Sequence, residues 1–175
     1  MKLTNSISLR NLTFSKHDES EFDRHQLKVL NNAIDKGIDM SKYANPIYNA
    51  QQLNLLLDGL ENGFNVTYYH KPIFSEHKML IILEALHKFH NTKYEENIAL
   101  IANPRYTERE MQRLATFIKR PYAKKLAKRN LSYYDLEQQI YMIDKMQFCY
   151  NTSQSMFDYA LNTIDRWRDK DEISE

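Results

Sequence analysis

Residues 48–63 read Tyr48-Asn49-Ala50-Gln51-Gln52-Leu53-Asn54-Leu55-Leu56-Leu57-Asp58-Gly59-Leu60-Glu61-Asn62-Gly63, a complete specification for one short helix. Asn49 is a capping residue whose side chain can accept from an orphan amide of the first turn. Gln52, at the third helical position, can bond back to close a capping box. Tyr48 precedes the cap and faces Leu53 four positions into the helix, the hydrophobic staple that sets the angle at which the chain enters. Leu53, Leu56, Gly59 and Leu60 then follow at helical spacing and form one apolar stripe. Gly63, followed by the apolar Phe64, has the form of a left-handed glycine just past a helix end.

The same pattern recurs on both sides. Phe22-Asp23, Tyr48-Asn49, Phe74-Ser75 and Tyr106-Thr107 each pair an aromatic residue with a cap; the first three start 26 residues apart and the fourth follows after 32. Leu27, Met79 and Met111 stand where Leu53 does, and Gln26 and Glu110 stand where Gln52 does. Self-similarity at a fixed period marks stacked supersecondary units, each burying its stripe on the next. The fold expected is therefore all-α, a stack of helix-turn repeats, with helices near 23–36 and 49–62. Gly37 and Gly63 end the first two, and linkers with matched Tyr43 and Tyr69 run to Pro46 and Pro72, which block helix continuation. The third copy has Phe89 in place of the glycine and six extra residues before Ala102-Asn103-Pro104, so the departure from regularity is expected there.

Downstream, Leu131-Ser132-Tyr133-Tyr134-Asp135-Leu136 repeats the logic of staple and capping box, with Ile140, Ile143 and Met146 continuing an apolar face. Met156, Phe157, Ala160, Leu161, Ile164 and Trp167 are spaced as a last amphipathic helix, and the charged end, 169–175, is expected to fray. Before the repeats, Ile7, Leu9, Leu12 and Phe14 alternate as in a short strand or an extended arm. The expected organisation is an arm over 1–20, four repeats over 21–120, and a basic turn with two helices over 121–175, all within a single compact domain.

Composition narrows the function classes. No apolar run reaches the length of a membrane span, and the first residues lack the continuous apolar stretch of a secretory leader, so a cytoplasmic protein is expected. The one cysteine, Cys149, lies in an apolar stretch and reads as a small core residue. Formal net charge is +1, yet 105–129 holds nine basic and two acidic residues, a net +7, against fifteen basic and twenty-one acidic elsewhere. A near-neutral total thus hides a basic block in an acidic body. Arg109 and Arg113 lie one turn apart on the side of the fourth helix away from Met111, Leu114 and Ile118. Lys124 and Lys128, like Lys125 and Arg129, are also one turn apart. Arg105, Arg109, Arg113, Arg120, Lys124, Lys125, Lys128 and Arg129 can neutralise phosphates, and Tyr106, Tyr122, Tyr133 and Tyr134 could stack on bases or cap an interface. The alternatives are contact with an acidic protein surface and a solvated face.

A catalytic constellation is harder to find. Glu84, His87 and His90 could offer a carboxylate and two imidazoles to a metal. Three-residue steps drift round a helix, however, and no second Glu-x-x-His follows to supply ligands from a neighbouring helix. Structural or surface histidines are the preferred reading, with no metal and no cofactor expected. His70 and His77 would serve a ribonuclease only as part of an acid/base pair beside a basic groove. No phosphate loop or nucleophile elbow is present, and a non-enzymatic protein is expected.

The strings Tyr43-Ala44-Asn45-Pro46-Ile47-Tyr48, Gln51-Gln52-Leu53 and Gly59-Leu60-Glu61-Asn62-Gly63 resemble the short helical repeats of accessory proteins from bacterial phages and conjugative elements, over about residues 22–118. The resemblance implies a mobile-element context and similarity to proteins that phages use against host defences, including inhibitors of RNA-guided nucleases (anti-CRISPR-like). Its implied partner is a host protein in the bacterial cytoplasm, an RNA-guided nuclease or its nucleic-acid complex. The rival expectations are a direct RNA- or DNA-binding regulator, a nuclease that trims a guide RNA, and a structural or dimerising module with no target outside its own element.

Overall fold

Each capping residue starts the helix expected of it. In the computed structural model, which describes residues 10–129 and 131–150 with side chains through 146, the principal helices are α1 (Arg24–Lys36), α2 (Ala50–Glu61), α3 (Glu76–Phe89), α4 (Glu108–Ala115), α5 (Ala123–Ala127) and α6 (Tyr133–Tyr150). Among the described residues there is no strand, and the fold is all-α. Asp23, Asn49 and Thr107 accept from first-turn amides, and Gln26, Gln52 and Glu110 accept in return from the cap amides at 2.6, 2.9 and 2.6 Å. Each cap contributes about 1 kcal/mol. Ser75 caps α3 through Lys78 N–H alone, because a lysine cannot accept. The staple aromatics Phe22, Tyr48, Phe74 and Tyr106 are all buried, as are Leu53, Met79 and Met111 opposite them.

Gly37 (φ +76°) and Gly63 (φ +69°) are left-handed, as the helix ends require. Ile38 N–H donates to Ala33 C=O and Phe64 N–H to Gly59 C=O, both at 2.8 Å, while the glycine amides reach Ile34 and Leu60. These crossed bonds satisfy carbonyls that a helix end otherwise leaves open.

Adjacent copies are joined through one position. Gln26 Nε2 donates to the carbonyls of Pro46 (3.0 Å) and Tyr48 (2.6 Å); Gln52 Nε2 donates to those of Pro72 (3.4 Å) and Phe74 (2.8 Å); Lys78 Nζ donates to that of Pro104 (2.9 Å). Each helix thereby holds the linker that follows it, and α1, α2, α3 and α4 pack in series.

The third junction is irregular, as the six extra residues predict. α3 continues through the place of the missing glycine, and Asn91 takes the left-handed conformation instead (φ +56°). The inserted chain forms a 3₁₀ helix, Glu95–Leu100, with Ile98, Leu100 and Ile101 buried. α3, α4 and the short α5 all pack on it, and the buried Asn97 donates from Nδ2 to Ile118 C=O at 2.6 Å.

One expectation is corrected. Residues 10–13 are helical, so Leu12 and Phe14 belong to no strand or extended arm: Phe14 N–H donates to Arg10 C=O, and the local helical bond competes successfully with extension. The chain divides into two compact units, Met1–Lys128 and Arg129–Glu175. Residues 121–128 join the first unit because α5 rests on the inserted 3₁₀ helix. In the second unit Ser132 caps α6 through Asp135 N–H, and Leu136, Ile140 and Ile143 are buried. The Ile7 and Leu9 part of the arm, the Cys149 side chain, the helix expected over 156–167 and the end at 169–175 lie outside the described residues. Among those described, no helix is long and apolar enough to cross a membrane.

Candidate functional site

The basic block of the first unit is built on the stack's one irregularity. Met111 and Leu114 turn α4 toward the core, which leaves Arg109 and Arg113 on its exposed side. The Arg113 guanidinium lies over the Phe117 ring, 5.3 Å from its centroid, a cation–π contact that limits its excursions. Tyr122, Ala123 and Leu126 are buried and fix α5, so Lys124, Lys125 and Lys128 are exposed. Arg105, Lys119 and Arg120 are exposed as well. Because α4 and α5 both seat on Glu95–Leu100, the insertion brings the cations of two helices onto one support.

That support carries acid of its own. Lys124 pairs with Glu96, whose carboxyl is held below the usual carboxylate range by the lysine's hydrogen bond and charge, with Lys128 adding to the effect. The pair is exposed on both sides and adds little stability. Its consequence is local: one of the α5 cations is partly neutralised.

The tyrosines expected to stack on bases divide sharply. Tyr106 and Tyr122 are buried, 5% and 0% exposed, and serve the core; burial raises the Tyr106 phenol above its ordinary pKa. Neither is available to a base, which corrects that expectation. In the second unit Tyr134 is 69% exposed, whereas Tyr133 is half-buried with its hydroxyl 3.0 Å from Glu137 Oε1. Arg129 there donates to Gln139 Oε1 at 3.1 Å and is only partly exposed.

The histidine cluster is organised round a ring rather than an ion. His87 and His90 flank Phe64, with centroids 4.7 and 4.9 Å from it. His87 Nε2 is 3.9 Å from Asp58, and His90 Nδ1 is 3.2 Å from Glu95 without the alignment of a hydrogen bond. Glu84 is exposed. Among the described residues no group of three His, Cys, Asp or Glu is placed to hold a metal, so Glu84, His87 and His90 form no ligand set.

Of the matched linker tyrosines, Tyr69 is fully buried and Tyr43 half-buried. What the linkers present instead are Ile47 and Ile73, 65% and 71% exposed. Their signal was legible: two isoleucines at one register, each straight after the linker proline, in turns where a core needs no apolar residue.

Compared with protein-family models, curated proteins and solved structures, the chain matches none.

Proposed function

We propose that this chain is a non-enzymatic binding protein of a phage or other mobile element that inhibits a host defence nuclease, its cationic helices occupying a surface that would otherwise face nucleic acid. One observation carries the reading: the insertion absent from the first two junctions is the support for α5, so the regular stack is elaborated where its charge is concentrated. Eight arginines and lysines from 105 to 128 are exposed on α4, α5 and the turns beside them. Rigidly presented cations favour a partner of opposite charge because little ordering entropy is lost on contact. The tested species is an RNA-guided nuclease of the bacterial host loaded with its guide. Stoichiometric chain stops target cleavage, and a variant with Lys124, Lys125 and Lys128 all changed to Glu does not, at unchanged helical circular dichroism. Inhibition unaltered by that variant removes the basic face from the account. Turnover of the guide by substoichiometric chain would establish the trimming nuclease instead.

The exposed cations of the first unit support a second reading as a direct RNA or DNA binder. It predicts affinity for a naked strand that falls steeply with salt, as counterions released by phosphate contacts require.

A further inference from the structure

Four tight turns recur at one edge of the first unit: Glu19-Ser20-Glu21-Phe22, Asn45-Pro46-Ile47-Tyr48, Lys71-Pro72-Ile73-Phe74 and Asn103-Pro104-Arg105-Tyr106. In each, the amide of the fourth residue donates to the carbonyl of the first, at 3.3, 3.1, 3.0 and 3.2 Å. The fourth residue is the buried staple aromatic, and the third is the exposed tip. Read along the stack, the tips are Glu21, Ile47, Ile73 and Arg105: acid, apolar, apolar, base. Three of the turns have proline at the second position, which fixes its φ, and Asn45 and Asn103 further pin two tips by accepting from the Ile47 and Arg105 amides at 3.0 and 3.1 Å.

We propose that this row is a self-association surface that a second copy of the chain meets antiparallel, about a twofold axis. Reversal places Glu21 against the second copy's Arg105 and Ile47 against its Ile73, and the axis repeats both contacts, as an isologous interface demands. The occupant follows from the order of the tips: reversed, acid–apolar–apolar–base is its own complement. A nucleic-acid strand would set phosphates against Glu21 and leave both isoleucines without an apolar partner. Glu21 is charged for this role, since the Asp18 amide and the His17 ring beside it hold its carboxyl below the usual range. With helices about 8–10 Å apart the row is about 30 Å long, and a strip of that length buries roughly 600 Å² in total, the size of a weak, reversible contact.

Sedimentation velocity on the purified full chain, from about 10 μM to about 1 mM, reads the proposal in the range where such small contacts associate. The weight-average mass rises toward that of a dimer, and Ile47→Asp or Ile73→Asp, at exposed tips where folding is preserved, returns it to the monomer. Arg105→Glu weakens association at least several-fold, and the exchange Glu21→Arg with Arg105→Glu restores it. A monomer mass across the whole range overturns the proposal, as does a dimer that persists in both Asp variants. Because no nuclease is present, the outcome is separate from that of the inhibition test, and a heterologous partner for the isoleucines would register as a strictly monomeric chain.

Discussion

Gln52 and Lys78 hold the same place in successive copies and meet the same demand with different chemistry. Gln52 accepts from its own cap through Oε1 and donates to the next linker through Nε2. Lys78 only donates, so the junction to Pro104 survives while the capping box of α3 is lost. Glu110, at the same place in the fourth copy, only accepts, and its box is kept. Gln26 and Gln52 thus couple helix start to stacking, whereas Lys78 and Glu110 each keep one of the two roles. The insertion directly precedes this fourth copy, and α5 with its lysines directly follows it.

The sharpest way to break the comparison between copies lies at Gly59. A Cβ there would collide with the Tyr69 hydroxyl and approach Val66 Cγ1 to 2.8 Å, whereas Ala33 occupies the same place in the first copy, where Tyr43, the counterpart of Tyr69, is half-exposed. Gly59→Ala is expected to destabilise by about 3 kcal/mol in urea unfolding, against about 1 kcal/mol for Ala33→Gly. The double variant Gly59→Ala with Tyr69→Phe should recover part of the loss, the coupling that a shared contact produces. Equal costs at 33 and 59 would show the tyrosine is not the obstacle.

Next in size is Gln52→Ala, which strips a donor from two carbonyls and an acceptor from the cap, at about 2 kcal/mol. Lys78→Ala, with one bond to lose, should cost about 1 kcal/mol by the same measurement. Glu110→Gln, which keeps the acceptor, is expected to change stability by less than about 0.5 kcal/mol. A reversed order among the three would dissociate the shared position from stacking.

The smallest effect separates two tyrosines by pH. Burial is the main cause that raises the Tyr69 phenol far above its ordinary value of 10.0, with the Asp58 charge assisting; the Tyr43 phenol is raised too, chiefly by its partial burial. A phenol whose pKa is higher in the fold contributes stability that is fully present below the unfolded value and is lost as pH rises through it. Thermal stability should therefore decline above about pH 10, and Tyr69→Phe should flatten that decline more than Tyr43→Phe does.

Much of the stack was legible because its signals are local. Caps, staples and the glycines at 37 and 63 act within a few residues of themselves, and their geometry follows from residue type. The insertion was legible as an interruption but not as a support, since the burial of Asn97 against the Ile118 carbonyl joins residues far apart in sequence. Exposure of the cations followed from their helical register. The aromatic residues misled, because Tyr106 and Tyr122 can serve a core as well as an interface and only three-dimensional packing decides. Leu12 and Phe14 misled for a different reason: two alternations are too few to distinguish a strand from one helical turn.

In the proposed function, the α5 cations supported by Glu95–Leu100 make the inhibitory contact. Target cleavage by the guide-loaded host nuclease is titrated with the chain and with its Lys124→Glu, Lys125→Glu, Lys128→Glu variant. The account predicts inhibition by the first and none by the second, with both equally helical; equal inhibition by the two, or by neither, contradicts it.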